Sequence, residues 1–184
     1  MMGMSFIPQD RQRDGLALRA SVWENACITK AESKKLSFGP FLKKENMKIL
    51  AGELIKEFSI KVDGPGTLVN TMSGGNMQKL VVARELSSEY PIIILENPTW
   101  GIDVGSIAFI HQKIIDIKSK GVAILLVSNE LDEITSLSDS AFVMYEGSVS
   151  KRILKGENFR ELIGKQMLSG FGVSHLRSTG VGSL

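Results

Sequence analysis

Two short stretches of the 184-residue chain carry side chains suited to phosphate chemistry. In the first, Ser73, a residue type that favours a helix N-cap, precedes Gly74 and Gly75. Glycines let a phosphate approach the backbone N–H groups at a helix N-terminus, where the helix dipole favours an anion. The second is Glu96-Asn97, a carboxylate and an amide placed directly after an apolar run. Since ligands of parallel sheets bind beyond the carboxyl ends of the strands, Glu96 and Asn97 are candidate site residues.

The elements that must position these residues alternate between helix and strand. A helix is predicted over about residues 74–87, followed by a strand over 92–95. Neither this strand nor a second one at 122–127 shows polar alternation, so we expect both to be buried on two faces, as in a parallel sheet covered by helices. Between them, a turn at 98–101 leads to an amphipathic helix that begins after Asp103. The pattern predicts an α/β fold.

Composition limits the classes of protein that are compatible with the chain. A hydrophobic fraction of 43% and a charged fraction of 23% are ordinary for a globular domain. A net charge of +2, without a basic surface interleaved with aromatic residues, does not indicate nucleic acid as a partner. The single cysteine, Cys27, excludes an internal disulfide and is predicted to lie in the core. Every apolar run is too short to span a bilayer, so we expect any membrane role to be peripheral.

The succession of motifs resembles the ATPase domain of ABC transporters. Residues 73–78 (SGGNMQ) resemble its signature motif, residues 92–96 its Walker B strand, and residues 101–103 its D-loop. The resemblance implies a partial P-loop-NTPase-like domain, with a mainly parallel sheet flanked by helices. It further implies that residues 1–168 are the C-terminal part of a nucleotide-binding domain, with a helical subdomain at about 22–88. The glycine-rich stretch 169–184 is predicted to be a flexible tail.

A short strand predicted at residues 4–8 ends at Gln9. In the family, the glutamine at this place lies in the Q-loop, senses the metal and the γ-phosphate, and connects to the membrane-facing surface. Taken alone, Gln9 is equally well explained as a polar residue after a strand. The wider string 7–11 (IPQDR) resembles the second nucleotide-binding half of importers for simple sugars and nucleosides.

The sequence contains no G-x-x-x-x-G-K-[ST] P-loop, whose lysine and amides would hold the phosphates of a nucleotide. Its single Gly-Lys pair, Gly164-Lys165, is followed by Gln166. In the family the P-loop lies upstream of the strand predicted at 4–8. The chain is therefore interpreted as the C-terminal part of a longer polypeptide.

At the chain's own site, the residues expected from the family are replaced. The usual strand end is Asp-Glu, whereas here Glu96 stands at the position of the Mg²⁺ ligand and Asn97 at that of the catalytic base. An amide can hydrogen-bond a water molecule but cannot accept its proton. Asn129 stands where the switch histidine is expected. The resemblance implies ATP and Mg²⁺ as cofactors, with Glu96 and Gln9 at the metal, but a site that hydrolyses ATP slowly or not at all.

The signature motif retains what its role requires. By resemblance, Ser73, Gly74, Gly75 and Gln78 contact the γ-phosphate that another nucleotide-binding half holds, and Asp103 crosses that interface. The implied partners are that second half, the transmembrane permease subunits and, indirectly, a solute-binding protein, at the cytoplasmic face of the cell membrane and without nucleic acid.

We therefore predict an ATPase subunit of a nucleoside or simple-sugar importer, inactive as an isolated chain. A non-catalytic structural or regulatory half that only binds partner subunits is the alternative. A soluble ABC ATPase of translation or DNA repair is disfavoured, because such proteins lack the string at 7–11.

Overall fold

The computed structural model describes residues 3–30, 35–38, 41–88 and 90–171. These residues form two compact units, one up to Asn129 and the other from Glu130 onward. The interpretation of residues 1–168 as one domain does not predict this division. Each unit is described by itself below.

The first unit contains a three-stranded parallel sheet. Its strands are β1 (Met4–Ile7), β4 (Ile92–Glu96) and β5 (Ala123–Val127), and β4 lies between the other two. Ile93 of the central strand pairs with Ser5 on one side and with Ile124 on the other. The predicted parallel sheet is confirmed.

The two faces of this sheet have different environments. On one face Ser5, Ile7, Ile93 and Leu95 are almost fully buried, and helix α3 (Gly74–Leu86) contacts β1. The other face exposes a row of large apolar side chains: Met4, Phe6, Ile92, Leu125 and Val127, each between 45% and 59% exposed. The expectation that the strands are buried on both faces is therefore wrong. A continuous apolar run shows that both faces are apolar, but it does not show that the chain itself covers both.

A mainly helical stretch lies between β1 and β4 in the sequence, within the residues predicted to form a helical subdomain. Its elements in chain order are α1 (Val22–Cys27), β2 (Ser37–Phe38), β3 (Phe41–Leu42), α2 (Lys44–Glu57) and α3. Glu24 Oε2 accepts hydrogen bonds from the backbone N–H of Ser21 at 2.8 Å and from its hydroxyl at 2.6 Å. This cap fixes the start of α1, which packs against α2 and α3.

A buried polar network attaches the C-terminal end of α3 to its surroundings. Ser5 Oγ donates to Glu85 Oε2 at 2.5 Å, Arg84 Nε donates to Glu85 Oε1 at 2.6 Å, and Arg84 Nη1 donates to the carbonyl of Gly15 at 2.9 Å. The three residues are at most 6% exposed. Because buried charges are costly unless they are paired and hydrogen-bonded, this network specifies where α3 lies against β1 and Gly15.

The first unit continues after β4 with helix α4 (Val104–Ser119), which runs to β5 and packs against α3. Ile110 and Ile114 are its buried apolar residues. Gly121, with φ +85°, follows the helix end.

The second unit combines two helices with short antiparallel strand pairs. Its elements are α5 (Leu131–Leu137), β6 (Ser140–Ala141), β7 (Met144–Tyr145), β8 (Ser148–Val149), β9 (Ile153–Leu154) and α6 (Phe159–Ser169). β6 pairs with β9, and β7 pairs with β8. Glu146 and Gly147 form the turn between β7 and β8, and both have positive φ, which two-residue hairpins favour.

The stretch predicted to be a flexible tail begins inside α6, at Ser169, and residues 172–184 lie outside the described residues. No helix in the described part of the chain combines the length and the apolar character that crossing a membrane requires.

Candidate functional site

Three of the predicted site residues meet at the carboxyl end of the central strand. Gln9 follows β1, Glu96 ends β4, and Asn97 is the next residue. Asn97 Nδ2 donates to Gln9 Oε1 at 3.0 Å, and the backbone N–H of Gln9 donates to Glu96 Oε2 at 3.4 Å. Parallel strands end at the same edge of a sheet, and this is why residues far apart in sequence lie together here.

Asn97 also reaches the end of β5. Its Oδ1 accepts a hydrogen bond from the backbone N–H of Asn129 at 2.9 Å, and its own N–H donates to the carbonyl of Val127 at 2.8 Å. Asn97 is buried and has φ +41°, in the left-handed region that asparagine tolerates better than most residues. Both polar atoms of the Asn97 side chain therefore form hydrogen bonds within the chain, and these bonds join the segments that follow the three strands.

An open cavity of about 460 Å³ lies beside this cluster. The residues lining it are mostly polar: Gln9, Asp10, Arg11, Gln12, Asp14, Glu96 and Trp100. Asp10 Oδ1 accepts from the backbone N–H groups of Gln12 and Arg13 at 3.0 and 3.1 Å, and so caps a π-helical turn, Arg11–Gly15. Because the Asp10 carboxylate is used in this cap, Glu96, at the end of β4, supplies the cavity's carboxylate at the strand edge.

The donor set fits Mg²⁺ only together with a nucleotide. Within the described ranges, no three His, Cys, Asp or Glu side chains form a group that could hold a metal ion. Mg²⁺ is commonly bound by one or two carboxylates together with substrate phosphates and water molecules. Glu96, with Gln9 beside it, matches that pattern and not that of a closed protein cage.

The second predicted surface is the N-terminus of α3. Ser73 is exposed and is the N-cap, as predicted: its Oγ accepts from the N–H of Asn76 at 3.4 Å and from Asn76 Nδ2 at 2.9 Å. Gly74 and Gly75 are partly exposed. The first two residues of α3 are therefore partly accessible next to an exposed serine.

Asp103 lies next to this turn and caps the following helix. Its Oδ1 accepts from the N–H of Ser106 at 2.9 Å, and its Oδ2 accepts from Ser106 Oγ at 2.8 Å. These hydrogen bonds hold the pKa of Asp103 below its usual range, so that it stays ionised at neutral pH. A Cβ on Gly75 would lie only 2.9 Å from Asp103 Oδ2, so the close approach of α3 to the start of α4 requires a glycine. The role of Asp103 at an interface with another chain stays a prediction.

Gln78 is placed differently from the other residues of the motif. Its side chain is 1% exposed, and its Nε2 donates to the carbonyl of Pro98 at 2.6 Å. This hydrogen bond ties α3 to the turn after β4. Contact of Gln78 with a phosphate stays a prediction, and the geometry favours a role in positioning that turn.

The sequence interpretation gave no role to Arg11, which the structure places between several motifs. Its Nη1 donates to the carbonyl of Trp100 at 2.8 Å, and its Nη2 donates to that of Gly101 at 3.3 Å. Its partners are backbone carbonyls about 90 positions later in the chain, and no residue type or spacing indicates such a contact.

Known proteins with similar sequences are ATP-binding proteins of importers. The chain is 34% identical over 164 residues to the nucleoside import ATP-binding protein NupA of Lactococcus lactis, covering 89% of this chain and 32% of that protein. It is 36% identical over 170 residues to the glucose import ATP-binding protein TsgD13 of Haloferax volcanii, covering 91% and 31%. For the ribose import ATP-binding protein RbsA of Shouchella clausii, identity is 35% over 161 residues, covering 88% and 32%. The chain spans about a third of the length of these relatives.

A comparison of the fold with solved structures agrees with the sequence comparison. A solved dimeric structure of an ATP-binding cassette, in a post-hydrolysis state with ADP and Pi, matches with a TM-score of 0.66 over 84% of this chain and 64% of that chain, at 22% identity. The chain thus resembles import ATP-binding proteins in sequence and an ATP-binding cassette in fold. No protein-family model matches the sequence. In this chain, the amide of Asn97 is hydrogen-bonded internally, whereas Ser73 is exposed at a helix N-terminus.

Proposed function

We propose that this chain is part of the ATP-binding subunit of an ABC importer for a nucleoside or a simple sugar. We further propose that it completes a nucleotide site on a partner half while its own site is degenerate. The relatives named for nucleoside, glucose and ribose import support the first part. The observation that carries the second is that both polar atoms of the Asn97 amide are used within the chain.

The own site lacks a group that can accept a proton from water at the position after Glu96. Asn97 is neutral, and its Nδ2 and Oδ1 already bond Gln9 and the backbone of Asn129. Glu96 and the second lone pair of Gln9 Oε1 remain available to a magnesium ion that arrives with ATP, whose charge would supply electrostatic stabilisation of the phosphates. This half would therefore bind metal and nucleotide without efficient hydrolysis.

The N-terminus of α3 suits the complementary role. Helix α3 is 13 residues long, so its N-terminal amides carry the partial positive charge of a full helix. Ser73 is exposed, and the adjacent glycines are partly exposed and place no side chain over the helix amides. A γ-phosphate held by another half would meet hydrogen-bond donors already in position.

The proposed assembly follows from this division of roles. It contains a second nucleotide-binding half, permease subunits and, indirectly, a solute-binding protein, with the chain peripheral at the cytoplasmic face of the membrane. The alternative, a non-catalytic structural or regulatory half, shares the degenerate own site. It differs in predicting that the N-terminus of α3 plays no part in hydrolysis.

The test uses the full-length transporter in proteoliposomes, with solute uptake and ATP hydrolysis expressed per assembled transporter. Ser73→Arg places a bulky cation on the proposed phosphate surface and is expected to abolish both activities. Asn97→Ala is expected to change them little. The control is Ser119→Arg, at the exposed C-terminal end of α4, where a cation is compatible with the helix dipole.

The outcomes separate the two functions. Retention of ATP hydrolysis by Ser73→Arg would overturn the shared-site proposal and favour the structural half. Equal losses from Ser73→Arg and Asn97→Ala would show that the site at Glu96 is the working one.

A further inference from the structure

We infer that Arg11 is a positioning residue that links the segment 9–15 to the turn after β4 and to the N-terminus of α3. Movement of any one of these three parts is passed to the other two through its guanidinium group. The inference rests on the proposed function, because it concerns the surface that this chain would offer to a partner's nucleotide.

The first link is to the turn that contains Trp100 and Gly101. Arg11 Nη1 and Nη2 donate to the carbonyls of these two residues at 2.8 and 3.3 Å. Gly101 has φ +65°, so the chain turns sharply at the point where its carbonyl is held. The planar fork of arginine reaches two neighbouring acceptors at once, which the single ammonium group of lysine does less well.

The second link is to Gly74, at the first turn of α3. A Cβ built on Gly74 would lie 2.7 Å from Arg11 Nη2, closer than real side chains approach. An alanine at this position would push the guanidinium group away from the carbonyls of Trp100 and Gly101. The absence of a side chain at Gly74 therefore serves the Arg11 contact as well as the accessibility of the helix amides.

The segment 9–15 is also attached to α3 at a point farther along the helix. Arg84 Nη1, in a buried ion pair with Glu85, donates to the carbonyl of Gly15 at 2.9 Å. A Cβ on Gly15 would lie 3.3 Å from a methyl group of Val81, so this end of the segment packs closely on the helix. Two attachments, at Arg11 and at Gly15, make the segment follow α3.

The other end of the same segment begins at the candidate own site. Gln9 bonds both Glu96 and Asn97, only two positions before Arg11. The arrangement therefore connects the state of the own site to the surface at the N-terminus of α3. The Nε atom of Arg11 is buried with no hydrogen-bond partner in the described part of the chain, so the guanidinium group is held by its two outer nitrogens.

The first experiment measures steady-state ATP hydrolysis by the full-length transporter in proteoliposomes. Arg11→Met is expected to lower kcat by about tenfold or more, since misplacing groups around a reaction is costly, and to change KM for ATP by less than about twofold. Arg11→Lys should recover part of kcat, because one donor group can reach one of the carbonyls. The matched control is Arg13→Met in the same turn, whose side chain is 82% exposed; it should behave as the wild type.

The second experiment is a double-mutant cycle read by thermal unfolding of the full-length ATP-binding protein, which does not depend on activity. Gly74→Ala is expected to lower the Tm when Arg11 is present. In the Arg11→Ala background the same substitution should lower it much less, because the guanidinium group is no longer displaced.

Each result supports or overturns the inference. Equal Tm losses in the two backgrounds, or a kcat for Arg11→Met equal to that of Arg13→Met, would overturn it. If Arg11→Met changed KM as much as kcat, and Arg11→Lys did not recover kcat, the role of Arg11 would be a general structural one and the inference would be overturned. Uptake that survives Ser73→Arg would refute the proposed function. Loss with Ser73→Arg alongside a wild-type kcat in Arg11→Met would refute this inference alone.

Discussion

Asn97 donates a hydrogen bond from its Nδ2 to Gln9 Oε1 at 3.0 Å, across the carboxyl ends of two neighbouring parallel strands. The opposite atom of the same amide, Oδ1, accepts from the backbone of Asn129 at 2.9 Å. A carboxylate at this position could accept the second hydrogen bond but could not donate the first. Asn97, which the family resemblance puts at the position of a catalytic base, is thus also the bridge between three strand ends.

This bridge predicts a stability role for Asn97 that is separate from catalysis. Asn97→Ala should lower the free energy of unfolding by about 2–4 kcal/mol, because two partly buried hydrogen bonds are lost and alanine disfavours positive φ. Urea denaturation measures this loss. The loss should appear in the full transporter as less assembled complex and not as slower transport by each complex.

Asn97→Asp is the matched control for this prediction. It keeps the acceptor for the N–H of Asn129 and the tolerance of left-handed backbone, so it should cost about half as much as alanine. If the two substitutions destabilise the protein equally, the hydrogen bond between Asn97 Oδ1 and Asn129 contributes nothing measurable.

Two helical glycines should respond to alanine with opposite signs. At Gly75 the added Cβ would lie 2.9 Å from Asp103 Oδ2, which is held by Ser106, so Gly75→Ala should destabilise the protein by about 1–3 kcal/mol. At Gly52, inside α2, the added Cβ meets nothing within 4 Å, so Gly52→Ala should stabilise it by about 0.5–1 kcal/mol. Urea denaturation of both variants provides the comparison. Stabilisation by both would show that α3 and α4 are not closely packed at Gly75.

Cys27 should be a poorly reactive thiol in the native protein. It is fully buried at the C-terminal end of α1. Burial raises the pKa of the thiol, and this effect outweighs the opposing effect of the positive charge of Lys30. Because the thiolate is the reactive form, modification by a disulfide reagent at pH 8 should be at least about tenfold slower than in urea. The native rate should rise as the pH is raised towards the elevated pKa. Equal rates in buffer and in urea would contradict the buried position of Cys27.

The sequence was sufficient to predict the order of the elements and their local ends. The caps at Ser21, Ser73 and Asp103 each depend on residues only three positions away, so they were visible without tertiary structure. The parallel strands were predictable from short apolar runs separated by helical patterns, and the hairpin at Glu146-Gly147 from its turn residues.

Only the tertiary structure decided which of these residues act together. The Gln9–Asn97 and Arg11–Gly101 contacts join residues 88 and 90 positions apart, and their existence depends on the order of the strands in the sheet. Likewise, the apolar runs do not reveal that the face carrying Phe6 and Leu125 is exposed. Periodicity is a local property, whereas burial and long-range hydrogen bonding depend on how the elements are packed against one another. The sequence alone determined the motifs, and packing determined that Asn97 bridges the strand ends and that Arg11 links the motifs.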